Sequence, residues 1–102
     1  MSIQPLQSIF ARKIAILKLV AFEIGYEVTE GDYYRDPRVS YGHYKSLHRS
    51  RLAADLNLFK DGEYLSDGSG HDELHEIWVK MGGNPGIKDD LNHYSLPYNG
   101  MK

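Results

Sequence analysis

The stretch SLHRSRLAADLNLF, residues 46–59, holds a histidine and an aspartate on either side of the start of a predicted strand. Within residues 51–59, two sets of residues alternate with the two-residue period of a strand. One set is Leu52, Ala54, Leu56 and Leu58, and the other is Ala53, Asp55, Asn57 and Phe59. The alternation predicts that the leucines face a core, and that Asp55 and Asn57 lie on the opposite face. A turn just before the strand could bring His48 over the face that carries Asp55.

Asp55 sits mid-strand between apolar neighbours, where a carboxylate is costly unless its charge is compensated. Three forms of compensation are open: a solvated face, an ion pair with Arg51, or a metal ion. The chain contains no cysteine, so any zinc site in it must use histidine, aspartate or glutamate side chains.

The order Ser46-x-His48, six further residues, then Asp55 on a strand resembles the first metal motif of a zinc peptidase family. That family comprises the D-Ala-D-Ala peptidases and L-Ala-D-Glu endopeptidases, with VanX-type and VanY-type enzymes and several phage endolysins. Asp90-Leu91-Asn92-His93 resembles the second half of the family signature. The usual family pattern has a glycine where this chain has Arg51, which is a departure.

The resemblance implies a zinc ion held by His48, Asp55 and His93, with Asp90 as the general base. Three protein ligands leave a fourth zinc position for water, whose pKa zinc lowers to about 7. A nearby carboxylate then takes the proton of that water and passes it to the leaving amine. The family commonly has glutamate at the base position, and aspartate occurs there in the endolysin-type members, which this chain therefore resembles more.

Two further residues are candidates for contact with the substrate. Arg35 follows the first predicted strand, and the resemblance implies that it binds the substrate and polarises the scissile carbonyl group. An exposed arginine paired with Asp32 or Asp36 is the alternative. Ser46 resembles the family serine that hydrogen-bonds the substrate or the site, and an ordinary loop serine is the alternative.

A second histidine pair, His71 and His75, lies four residues apart in a predicted helix over residues 71–81. The spacing is superficially that of the His-Glu-x-x-His zinc proteases, but those need glutamate directly after the first histidine, and this chain has Asp72 there. The position of His71 at the helix start favours capping or solvent exposure. We therefore expect the zinc site to lie elsewhere.

The order of predicted elements indicates one α+β domain over residues 1–102, with a small antiparallel sheet packed against two helices. The resemblance implies the Hedgehog and DD-peptidase version of that fold. In the first helix, apolar residues from Ile9 to Ile24 recur at three- and four-residue steps and predict a buried face that ends at Gly25. The remaining predicted elements are a strand over 26–30, a hairpin turn at 60–62 and a last strand within 91–96.

Composition excludes several classes of protein. The net charge of -2 gives no electrostatic case for a nucleic-acid partner. The most apolar stretch, residues 14–24, is too short to span a membrane and contains Lys18 and Glu23. No signal peptide is evident. We expect a monomer without stable membrane insertion, made in a cytoplasm, which is the host cytoplasm for a phage protein.

The resemblance implies zinc-dependent hydrolysis of peptide bonds in peptidoglycan stem peptides. The enzyme would be a phage or prophage endolysin-type peptidase that reaches the cell wall after release by a partner lysis protein. One alternative is a catalytically inactive module of the same fold that binds zinc or peptide, and the intact Asp90 argues against it. A small unrelated α+β interaction domain without metal is the other.

Overall fold

The computed structural model describes residues 3–31, 51–87 and 90–98. In these ranges the chain forms two helices and four strands, in the order α1 (Gln4–Glu23), β1 (Glu27–Glu30), β2 (Ala53–Lys60), β3 (Glu63–Tyr64), α2 (His71–Lys80) and β4 (His93–Ser95). The strands make one small antiparallel sheet. The predicted α+β class is confirmed.

Strand β2 is the centre of the sheet, because each of the other three strands pairs with it. Strand β1 pairs antiparallel with the second half of β2, and Thr29 lies opposite Asn57. The hairpin turn predicted at residues 60–62 leads into β3, which pairs with the end of β2. Strand β4 pairs with the start of β2 and places His93 directly opposite Asp55.

The alternation predicted for β2 is present in the structure. Ala54, Leu56 and Leu58 are buried, whereas Asp55 and Asn57 are only partly buried. The buried leucines join a single core with apolar residues of both helices. Burial of the leucine face thus leaves Asp55 on the other face of the sheet.

Helix α1 buries a narrower stripe than its apolar repeat predicts. The stripe consists of Phe10, Ile14, Leu17 and Ala21, at steps of three and four residues. Ile9 is exposed because it lies off this stripe. Ile24 continues the stripe by its spacing from Ala21, but it lies beyond Glu23, the last residue of the helix, and is also exposed. The prediction that both residues share the buried face is wrong. Neither this helix nor the other described one has the length and apolar character needed to cross a membrane.

Helix α2 is anchored to β4 through Trp78. The indole is fully buried, and its Nε1 donates a hydrogen bond to the Ser95 carbonyl at 2.8 Å. The helix ends before Gly82, which has a φ of 98°. Gly83 follows where a Cβ atom would lie 2.0 Å from the Trp78 Nε1, so only glycine fits there.

Candidate metal centre

Asp55 projects from the face of β2 that is turned away from the leucines. Its side chain is 18% exposed. Gly31, which directly follows β1, lies close to Asp55, and its amide donates a hydrogen bond to the Asp55 carbonyl at 2.7 Å. A Cβ atom at Gly31 would lie 3.0 Å from the Asp55 Cβ, so the glycine leaves the room that the aspartate occupies.

His93 reaches the same face from β4. Residues that are directly opposite in an antiparallel pair project to the same side of the sheet, and His93 is opposite Asp55. The imidazole is 4% exposed, and its Nδ1 lies 3.7 Å from the Asp55 Oδ1. The sheet register thus brings together two predicted ligands from separate motifs.

Asp90 joins them from a tight turn before β4. The His93 amide donates to the Asp90 carbonyl at 3.1 Å, which folds the two residues towards each other. The Asp90 Oδ2 lies 3.8 Å from the His93 Nδ1, and the Asp90 side chain is 51% exposed. One ligand atom from each of the three residues lies within 4.8 Å of the others.

These three side chains fit a divalent cation. Imidazole nitrogen and carboxylate oxygen are ordinary zinc ligands, and they bind at about 2.0–2.2 Å. Two ligands that share one ion at that distance lie about 3–4 Å apart, and the His93 Nδ1 lies 3.7 and 3.8 Å from the two carboxylates. The group of Asp55, Asp90 and His93 could hold a metal ion.

A cleft of about 290 Å³ adjoins this group, and Asp90 forms part of its wall. Asn92 and His71 also line the cleft, as does the loop of residues 64–68. In that loop, hydrogen bonds from the Ser69 hydroxyl and amide lower the pKa of Asp67, so this carboxylate stays ionised. A molecule in the cleft would meet the carboxylate of Asp90.

The histidines of helix α2 are buried, with 3% of His71 and 8% of His75 exposed. The expectation of capping or exposure for His71 is wrong: the N-cap residue is Gly70, which has no side chain, and His71 is buried within the helix. The His71 Nδ1 instead lies 2.7 Å from the Tyr94 hydroxyl oxygen. The His75 Nε2 lies 2.6 Å from the Leu91 carbonyl oxygen.

Burial favours the uncharged forms of His71, His75 and Tyr94. It lowers the pKa of His71 to about 4 and also lowers the pKa of His75. It raises the pKa of the Tyr94 hydroxyl. Because a carbonyl oxygen only accepts hydrogen bonds, the neutral His75 ring must carry its proton on Nε2 and donate it to Leu91.

The structure brings Asp55, Asp90 and His93 together, as the two motifs predict. His48, Ser46 and Arg35 lie outside the described residues, so their predicted roles stay predictions. Among the described residues, the group that could hold a metal ion does not contain His71 or His75.

Sequence reasoning overlooked the buried network of His71, His75 and Tyr94. A signal was present in the chain: His71, Leu74, His75 and Trp78 follow the steps of three, four and seven residues that mark one helix face. All four are buried. Histidines on the face that carries leucine and tryptophan are therefore core residues here.

Comparison of the chain with protein-family models, with curated proteins and with solved structures finds no match in any of the three. The resemblance to the zinc peptidases therefore rests on the two motifs.

Proposed function

We propose that the protein is a zinc peptidase that hydrolyses peptide bonds in peptidoglycan stem peptides, of the phage or prophage endolysin type. One observation carries the proposal. Asp55 and His93 come from separate motifs, yet they face each other across the β2–β4 pair with Asp90 beside them. If the two motifs were chance spacings of histidine and aspartate, there would be no reason for their side chains to meet in the fold.

In this proposal Asp55 and His93 hold the zinc ion, and His48 is the third ligand by its spacing from Asp55. Zinc in such a site acts as a Lewis acid and makes water a nucleophile at neutral pH. The different exposure of the two aspartates supports different roles. Asp55, at 18% exposed, is placed like a ligand, whereas Asp90, at 51%, is open to the cleft.

Asp90 is the proposed general base. Asp90 lines the cleft, and its Oδ2 lies 3.8 Å from the His93 Nδ1, so it adjoins both a proposed ligand and a space that a substrate could enter. It accepts a proton from the attacking water and returns it to the leaving amine. Arg35 and Ser46 are proposed to bind the substrate, with Arg35 polarising the scissile carbonyl group.

The backbone at Arg51 supports the resemblance at the position where the sequences differ. Arg51 has a φ of 58°, in the left-handed region that glycine enters without steric cost. The family pattern has glycine at this position. The conformation that would favour glycine is thus retained, although the side chain is arginine.

Zinc content and cell-wall hydrolysis, measured on the same preparations, test the proposal. The unchanged protein should bind one zinc ion and release peptide fragments from purified peptidoglycan, whose masses identify the bond that is cut. Asp55→Ala and His93→Ala should lose most of the zinc. In this proposal Asp55, His93 and His48 hold the ion and Asp90 acts only as the base, so Asp90→Asn should keep zinc and lose hydrolysis by roughly two orders of magnitude or more. Loss of zinc by this variant would instead make Asp90 a ligand, which its place in the group with Asp55 and His93 allows.

Asp61→Asn is the matched control for Asp90→Asn. Asp61 is exposed in the β2–β3 turn with a φ of 53°, which asparagine also tolerates. This variant should keep both zinc and hydrolysis. Zinc binding without hydrolysis by the unchanged protein would instead indicate an inactive zinc-binding module. Full hydrolysis by Asp90→Asn would move the base to another residue.

A further inference from the structure

The segment that carries Asp90 and His93 is tied to helix α2 by one buried side chain. Leu91 lies between these two residues, and its carbonyl accepts the hydrogen bond from the His75 Nε2 at 2.6 Å. The Asp90 carbonyl meanwhile accepts from the His93 amide, so the turn has a fixed shape. The His75 bond fixes where that turn lies relative to the rest of the fold.

The His75 ring is itself held by two neighbours, Tyr94 and Gly86. One face stacks on the Tyr94 ring, with centroids 4.2 Å apart and planes within 11°. Gly86 also lies close to the ring, since a Cβ atom at this glycine would lie 3.0 Å from the His75 Cδ2. Tyr94 is in turn held by His71, whose Nδ1 is 2.7 Å from the tyrosine hydroxyl oxygen. The direction of the His75 donor is therefore set by packing.

We propose that His75 is a positioning residue for the metal centre: its hydrogen bond to Leu91 holds the Asp90–His93 turn in the arrangement that binds the ion. The inference rests on the proposed zinc site. A turn that is already in place loses less conformational freedom when zinc binds. Outer contacts that orient metal ligands are worth roughly 10- to 100-fold in metal affinity, and we expect an effect of that size.

Two substitutions of similar character separate the hydrogen bond from the rest of the ring. Gln at position 75 extends its amide nitrogen about as far as the histidine Nε2, whereas Asn stops about where Nδ1 lies. Both remove the stacking on Tyr94. We therefore expect His75→Gln to bind zinc within about 3-fold of the unchanged protein, and His75→Asn to bind it roughly 10- to 100-fold more weakly. Competition with a chromophoric zinc chelator measures both affinities.

Trp78→Phe is the control for a general loss of stability. It removes a buried hydrogen bond from the same helix, to the carbonyl of Ser95 on the far side of His93 from Leu91. It should lower the melting temperature and leave zinc affinity within about 3-fold. If a variant is unfolded without metal, its affinity is obtained from the rise of its melting temperature with zinc concentration.

Equal zinc affinity for His75→Gln and His75→Asn would overturn the inference. So would a loss for Trp78→Phe as large as that for His75→Asn, because the effect would then follow stability and not the turn. A failure of the unchanged protein to bind zinc would overturn the proposed function itself.

Discussion

Leu56 and Asn57 are neighbours in β2 with opposite surroundings. Leu56 is fully buried in the core, whereas Asn57 is partly exposed on the Asp55 face. Leu56→Ala should lower the free energy of unfolding by about 2–5 kcal/mol through the cavity it leaves. Asn57→Ala, the matched change on the other face, should cost less than about 1 kcal/mol, because the hydrogen bond that Asn57 accepts within the described residues is a long one, 3.3 Å from Asn92.

Chemical denaturation of both variants measures these values. Similar losses at Leu56 and Asn57 would contradict the alternation on which the placement of Asp55 depends.

The sequence predicted that Asp55, Asp90 and His93 lie together, but it did not predict the side chains that surround them. The alternation in β2 was enough to place Asp55 on the face opposite the leucines. The bond from His75 to Leu91 could not be predicted, because its acceptor is a backbone carbonyl, which every residue has. The fit of Gly83 against the Trp78 indole is likewise a matter of tertiary packing that no local pattern records.

Helix α2 carries a buried histidine that should make stability depend on pH. Burial lowers the pKa of His71 from 6.5 to about 4. Between these values the unfolded chain binds a proton that the folded chain does not, so the free energy of unfolding falls as the pH is lowered. The loss begins near pH 6.5, levels off below about pH 4 and amounts to about 3 kcal/mol from this residue.

Denaturation of chelator-treated protein between pH 7 and 4 measures this effect. His71→Asn keeps a polar side chain towards Tyr94 but cannot titrate, and it should show a shallower pH dependence. The pKa of His75 is shifted in the same direction, so some dependence should persist in the variant. Identical slopes for the two proteins would show that His71 is not the group responsible.

Elements were predicted more readily than their pairing. Gly25 and Gly82 lie just beyond the two helices, and the turn at 60–62 joins β2 to β3 as the local pattern predicts. The register that sets His93 opposite Asp55 joins distant parts of the chain, and periodicity carries no information about it. The apolar repeat of α1 predicts a wider buried face than the structure has, because the residues that a helix buries depend on what packs against it.

At the scale of the whole molecule, a metal bound by β2 and the β4 segment should stabilise the fold. The proposed ligands Asp55 and His93 meet only in the folded protein, so the proposed zinc ion would bind the native state in preference to the unfolded chain. Zinc at a free concentration 100 times its dissociation constant would add about 2.7 kcal/mol. For a chain of 102 residues this corresponds to a rise in melting temperature of about 10 °C or more.

Differential scanning calorimetry with zinc and with an excess of chelator measures this difference. The Asp55→Ala and His93→Ala variants are the controls, since their melting temperatures should respond little to either addition. A chelator effect of the same size in all three proteins would place the stabilising metal outside this group.

The central position of β2 also has a consequence for the order of events during synthesis. Its partner at the site, β4, is the last strand of the described chain, so Asp55 is made well before His93. A ribosome-bound chain that ends before residue 90 carries only part of the proposed ligand set and none of the turn that bears Asp90. The metal group is therefore completed only after His93 has been made, and the proposed enzyme cannot hydrolyse peptide before that point.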